Sequence, residues 1–272
     1  MEIAIKPLKN ENIDKIPSLI SMGLEPFIFN RTIYSCHGYD EYIKKQLNEE
    51  SEEVRWFGVY HRTKGLIGCS EWRLLDDSLL LNNLFVHPEF RGLQIGTKLL
   101  FEQGVDLAVF HKKKRIILDV FDHNSVAKGW YQSIGFRVIK SKFWYQIPFP
   151  DVGGSGEKTI LMLNEEEAKR THQKFGFSML KWKTENGIAS IGRIKHTLYR
   201  IVTPMGLEDL SLLYEMKRYD DNRQILLITE QTQPYDILCT NDRMEISVEE
   251  LRESEERMLA KRGSIHEKLS NV

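Results

Sequence analysis

The sequence predicts an α/β (α+β) chain, with a mixed, mostly antiparallel sheet flanked by helices and then a second, smaller α/β domain. Three observations predict it. Three apolar stretches, 55–61, 66–74 and 79–86, are separated only by the turn residues Arg62-Thr63-Lys64-Gly65 and Asp76-Asp77-Ser78. Such spacing makes hairpin-linked strands. The third stretch then runs through a Pro turn and a glycine-containing loop into a helix with Ile95, Leu99 and Leu100 on one side. Beyond the glycine-rich stretch Val152-Gly153-Gly154-Ser155-Gly156, a second series of hairpin, strand, helix and strand follows.

Composition narrows the classes. The 272 residues suit one large domain or two small ones. A net charge of -1 gives no general affinity for nucleic acid. Cys36, Cys69 and Cys239 are odd in number and far apart. They form no metal spacing and no disulfide framework, which favours a reducing compartment. The start, Met1-Glu2-Ile3-Ala4-Ile5-Lys6, alternates and does not read as a signal peptide, and no apolar run reaches membrane length. The expectation is a soluble cytoplasmic protein with no metal and no membrane partner.

In order, 2–7 reads as a strand and 11–19 as a helix, with Ile13, Ile16 and Leu19 at helical spacing. The passage 26–39 is irregular and rich in aromatics, so it either packs on the core or lines a pocket. A helix over 39–48 and an acidic tail, Glu49 to Glu53, precede the meander. The helix after the loop reaches about His111. The basic run Lys112-Lys113-Lys114-Arg115 suits its C-terminal dipole. A strand over 116–121 follows, then a helix opened by Asp122-His123-Asn124-Ser125 and stopped by Gly135. Two closing strands are expected, over 137–140 and 143–148.

The stretch from Val86 to Leu100 carries the first chemical signal. A helix's first turn has unpaired N–H groups and a partial positive charge, so it attracts anions. Gly92 and Gly96 allow close backbone approach, and Arg91 adds a fixed charge. The residues point to a phosphate cradle, although an ordinary strand-to-helix turn would share these features.

With two further features this stretch resembles the GCN5-related N-acetyltransferase (GNAT) family. The strand ends Leu84-Phe85-Val86-x-Pro88. Arg91-Gly92-Leu93-Gln94-Ile95-Gly96 is similar to the family's pyrophosphate loop. Asn124-x-x-Ala127-x-x-x-Tyr131-x-x-x-Gly135-Phe136 is similar to its second signature. The resemblance covers 1–148 and implies a GNAT-type sheet that binds acetyl-CoA. It implies that backbone N–H groups of Leu93, Gln94, Ile95, Gly96 and Thr97 hold the pyrophosphate, beside Arg91 and Gly92. Leu84, Phe85 and Val86 would splay from the strand at Leu118 and bond the pantetheine arm like an added strand. A backbone N–H near Val86 would polarise the thioester. Asn124 would contact the arm, and Tyr131 would protonate the leaving thiolate.

Two departures stand out. Gln94 replaces the family's middle glycine, which a backbone site tolerates if the side chain points away. Many relatives carry a base on the strand before the cradle, where this chain has Asn82 and Asn83. A neutral amide cannot take a proton. Asp119 on the next strand ranks first as base, Glu71 second, and His123 is a further candidate.

The implied activity is transfer of an acetyl group to a primary amine by direct attack. The acceptor could be a small amine, an aminoglycoside-like compound, or a protein N-terminus or lysine. The alternative is a non-catalytic acyl-CoA-binding or regulatory protein. Residues 149–158 read as a linker and 159–272 as an accessory α/β domain. Within the latter, strands are expected over 159–163, 177–183, 188–194, 196–202 and 224–229, with the Asn186-Gly187 turn between the second and third. Helices are expected after Asn164, over 207–216, and from the capping box at Ser247 to about Arg262. Val202-x-Pro204 repeats Val86-x-Pro88, but Met205-Gly206-Leu207-Glu208-Asp209 lacks the cradle's arginine and would repel a pyrophosphate. Two readings stand: a shortened, degenerate copy of the first domain, or an unrelated accessory domain. Either could serve a homodimer or shape the acceptor pocket.

Overall fold

The computed structural model describes residues 3–49, 53–150, 160–202 and 205–258. Most of the expected linker, and the part of the expected C-terminal helix beyond 258, lie outside these residues. The chain forms two compact units. The first is Met1–Leu19, Gln46–Lys140 and Asn241–Val272; the second is Ile20–Lys45 and Ser141–Thr240.

In the first unit the strands are β1 (Ile3–Pro7), β2 (Val54–His61), β3 (Gly65–Leu74), β4 (Ser78–Val86) and β5 (Arg115–Phe121). They lie side by side in chain order, with β12 (Cys239–Ser247) beyond β5. Neighbours are antiparallel except β4 and β5. The α1 helix (Ile16–Ser21) follows a 3-10 turn, Asn10–Lys15. After β4 come a 3-10 turn (Pro88–Phe90), α4 (Ile95–Lys98), a π-helical segment (Leu99–Gly104) and α5 (Val105–Phe110). The α6 helix (Ser125–Ile134) follows β5. Asn124 caps it at the start and Gly135, at φ 119°, stops it.

Alternation decides which face of the sheet these helices cover. Trp72, Leu79, Leu81, Leu118, Val120 and Met244 turn to one face and pack with Leu100, Phe101 and Val105 of the cradle helix, Tyr131 of α6 and Leu251. Each fully buried aliphatic side chain there contributes roughly 1.5–3 kcal/mol. Asp119 and Arg243, one residue off this set on β5 and β12, fall on the opposite face.

The second unit repeats the order of the first. Its sheet runs β7 (Leu161–Met162), β8 (Phe177–Thr184), β9 (Gly187–Ile194), β10 (Leu198–Ile201), β11 (Gln224–Thr229), then the second half of β6 (Arg137–Ile147). Here β10 and β11 are the parallel pair. The α7 helix (Glu165–Phe175) precedes β8, and α8 (Met205–Glu208) and α9 (Leu210–Tyr219) separate β10 from β11.

Several expectations change. The two closing strands are one strand, β6, because Lys140-Ser141-Lys142 continues extended rather than turning. The helix expected over 207–216 breaks at Asp209, whose side chain accepts from Leu212 N–H at 3.0 Å and caps α9. The 26–39 passage contains α2 (Pro26–Phe29) and a 3-10 turn (Ile33–Ser35), and leads into α3 (Tyr39–Asn48). It packs within the second unit: Gly38 N–H donates to the Phe175 carbonyl at 3.3 Å, and Tyr42, on the helix that follows, meets Phe175 and Phe177 edge-on at 5.7 and 5.1 Å. A Cβ at Gly38 would lie 2.4 Å from the Lys174 carbonyl oxygen, so only glycine allows this approach. The units therefore do not follow a division at 149–158. Residues 20–45 go with the second unit, and β12 pairs with β5 in the first.

Candidate acyl-CoA site

The site begins where β4 and β5 part. Their parallel pairing covers Ser78↔Arg115 to Leu81↔Leu118 and then ends. Beyond it β4 carries on through Val86 beside β3, while β5 continues to Phe121 beside β12. The cause lies in β4. Its register with β3 slips between Glu71↔Asn83 and Trp72↔Leu81, leaving Asn82 as an extra residue. Such a bulge bends and re-aims a strand. The edge of Leu84, Phe85 and Val86 that faces away from β3 is therefore not taken by β5.

At the far end of β4 the chain turns on Pro88–Phe90, where His87 Nδ1 accepts from Glu89 N–H at 3.3 Å. Arg91 Nε donates back to the Val86 carbonyl at 3.1 Å, fixing its root beside the strand end. Gly92 and Gln94 both adopt positive φ, 77° and 61°. The family's preference for glycine at Gln94 thus has a backbone cause, and glutamine holds the left-handed conformation at a cost of roughly 1–2 kcal/mol. The first helical bond is Lys98 N–H to the Gln94 carbonyl, 3.0 Å, so the N–H groups of Ile95, Gly96 and Thr97 precede it. A Cβ at Gly96 would make ordinary contact with Trp130, 3.5 Å, and Leu84, 3.7 Å. The fold itself does not demand glycine there, which fits a backbone kept bare for something else. Leu93 is exposed and takes no part in the core.

Tyr131 lies on the inner face of α6, against Trp130 at 4.8 Å and Phe136 at 5.4 Å. Burial pushes its phenol well above the usual tyrosine value. It stays protonated across the physiological range. Asn124 spends its side-chain oxygen on the Ala127 N–H, 3.2 Å, which leaves its amide N–H₂ for a ligand.

The candidate bases are all engaged. Both oxygens of Asp119 accept from Arg243, at 2.9 and 2.6 Å. Glu71, 1% exposed, accepts at Oε1 from Arg73 Nε at 2.8 Å and at Oε2 from Asn82 Nδ2 at 2.7 Å. Asn83 also donates to Oε2. His123 lies against Phe121 in the turn before α6. The Asn82-Asn83 pair, read from the sequence as a missing base, is thus gathered onto a carboxylate from the neighbouring strand. Trp130 and Arg243 were not among the expected site residues. Trp130 adjoins the Tyr131 signature and could have been suspected, but nothing local marks Arg243.

Among its described residues the second unit lacks these features. β10 pairs with β11 along its whole length, Leu198↔Gln224 to Ile201↔Leu227, so no slot opens between them among the described residues. The start of α9 already holds a carboxylate, that of Asp209. Among the described residues no cluster of three or more His, Cys, Asp or Glu could hold a metal, and no helix is long and apolar enough to cross a membrane.

Residues 52–138 match the family model described as an acetyltransferase (GNAT) domain. Among solved structures, a tandem GNAT protein from the clavulanic acid biosynthesis pathway superposes with a TM-score of 0.63 at 11% identity, over 91% of this chain and 99% of that one. A GCN5-related N-acetyltransferase from Sphaerobacter thermophilus gives 0.55 at 12% identity, over 90% of this chain and 96% of its own. A search of the curated proteins finds no match. Residues 52–138 therefore match a GNAT domain, and the chain as a whole shares the fold of these two structures.

Proposed function

We propose that this chain transfers an acetyl group from acetyl-CoA to a primary amine by direct attack, using the first unit alone. The observation that carries this reading is the slot between β4 and β5, which opens at Leu81↔Leu118 and ends at the bare N–H groups of Ile95, Gly96 and Thr97. The residues fit the co-substrate. Backbone N–H groups from Leu93 to Thr97, with Arg91 and Gly92 beside them, would hold the pyrophosphate. The freed edge of Leu84, Phe85 and Val86 and the amide of Asn124 would hold the pantetheine arm. A backbone N–H near Val86 would polarise the thioester oxygen. Tyr131 would give its proton to the departing thiolate. Of the two carboxylates, Asp119, 37% exposed, is the one a water can reach, and it would take the amine's proton through that water. The second unit, without a slot, binds no CoA in this reading.

A second reading has a specific observation behind it. Arg243 occupies both Asp119 oxygens, and Glu71 is saturated with donors, which suits a non-catalytic acyl-CoA-binding protein. Calorimetry with CoA and thiol release from acetyl-CoA across an amine panel separate the two. Tight CoA binding with no turnover on any amine would favour the second. Unchanged CoA affinity in Arg91→Glu would remove the cradle assignment.

A further inference from the structure

On the face of the sheet away from Tyr131, Glu71 does something the proposed chemistry does not use. In a regular strand, consecutive side chains point to opposite faces. Asn82 and Asn83 are consecutive, yet both amides donate to one oxygen of Glu71. They can do so only because the strand is bulged at Asn82. The other oxygen is held by Arg73, from Nε and Nη2, each at 2.8 Å. The carboxylate is 1% exposed and Asn83 is 5% exposed. A buried carboxylate that lost these donors would be left uncompensated, so the bulge and the carboxylate hold each other in place.

We propose that Glu71 is a positioning residue: it latches the β4 bulge through Asn82 and Asn83, and thereby sets the width of the β4–β5 slot into which the pantetheine arm is threaded. This rests on the acyl-CoA reading above. It assigns Glu71 to acyl-CoA affinity rather than to proton abstraction. Gln in its place keeps the shape but turns one oxygen into a donor, which would face either Arg73 or the asparagine pair donor to donor. Replacing both asparagines by alanine breaks the latch while leaving the carboxylate intact.

The test compares wild type, Glu71→Gln and the double variant Asn82→Ala/Asn83→Ala. Acetyl-CoA affinity is measured by calorimetry, and kcat and KM for both substrates are measured across pH. Both variants are expected to weaken acetyl-CoA binding at least tenfold. KM for acetyl-CoA should rise in step, with the acid limb of the kcat profile unmoved. Loss of kcat and of that acid limb in Glu71→Gln, with affinity kept and the double variant active, would make Glu71 the base and overturn the proposal. Lower melting temperatures with unchanged affinity in both variants would reduce it to a stability residue and also overturn it. If the wild type binds no acetyl-CoA, the acyl-CoA reading itself fails. Amide hydrogen exchange over 82–86 without ligand then reads the latch by itself. Faster exchange in both variants supports it, and unchanged exchange overturns it.

Discussion

The indole of Trp72 fills the space a side chain on Gly104 would need: a Cβ there would lie 2.5 Å from Cη2. Trp72 is fully buried and is anchored by its Nε1–H to Ser70 Oγ at 3.0 Å. Gly104 closes the π-helical segment in the helix that begins at the cradle. A π turn is rare and marks a local departure from ordinary helix geometry. The ring on β3 and the glycine on the helix therefore fix where that helix passes over the sheet. Gly104→Ala should cost about 1–3 kcal/mol by overpacking. Urea denaturation reads the loss, and a second change, Trp72→Phe, should recover part of it. Undiminished stability in Gly104→Ala would show that the contact is not a constraint.

Gln94 gives a backbone prediction. Gln94→Gly relieves the left-handed strain but adds chain entropy to the unfolded state, so stability should stay within about 1 kcal/mol of wild type. Gln94→Val, β-branched at φ 61°, should lose about 1–2 kcal/mol. Thermal melts distinguish the pair. CoA affinity should survive the glycine change, because backbone groups do the binding.

Tyr131→Phe should lower kcat by about 10²-fold or more and leave CoA affinity intact, the pattern of a lost proton donor. Thiol-release kinetics measure it. Because burial raises the phenol's pKa, wild-type activity should show no alkaline limb from tyrosine ionisation up to about pH 10. A limb near pH 8 that Tyr131→Phe abolishes would contradict this placement. The same shift stabilises the fold at pH below the unfolded tyrosine value and is lost as pH rises above it.

In the second unit, His172 is buried on α7, and neither ring nitrogen makes a hydrogen bond of good geometry among the described residues; the Lys195 backbone lies near enough to favour the charged ring slightly. Its ring meets that of His196 at 5.4 Å, and Arg193 and Arg223 bring like charge. Burial foremost, then these charges, push its pKa down from 6.5 to about 4. The neutral form thus stabilises the fold above about pH 6.5, and that contribution drains away as pH falls towards 4. The urea midpoint of wild type should drop over that interval. His172→Leu, which removes the titrating ring, should flatten the drop. An equally steep fall in the variant would place the acid sensitivity elsewhere.

Local chemistry made the site legible. The cradle loop, the Asn124 cap, the Gly135 stop and the three meander strands depend on neighbours in sequence, so their residue types announce them. What the sequence hid depends on distant partners. Arg243 meets Asp119 from 124 positions away, along a strand whose polar run Asn241-Asp242-Arg243 does not look like a sheet interior. The aromatics of 26–39 left packing or a pocket open, and nothing local showed that Gly38 would sit against Phe175. Nor could spacing reveal that Asn82 and Asn83 would share a face, since a bulge breaks the alternation on which such readings rest.

The pairing of β5 with β12 bears on how the protein is made. Asn241 to Ser247 pair with Arg115 to Phe121 across more than a hundred residues of chain. A ribosome delivering the first 148 residues therefore releases a sheet whose β5 edge still waits for its neighbour. Until β12 emerges, Ile116 to Phe121 is an open template for any passing strand. Expression of residues 1–148 alone should favour aggregates over a soluble monomer. Adding 239–258 in trans should rescue solubility in proportion to how well that segment fills the gap.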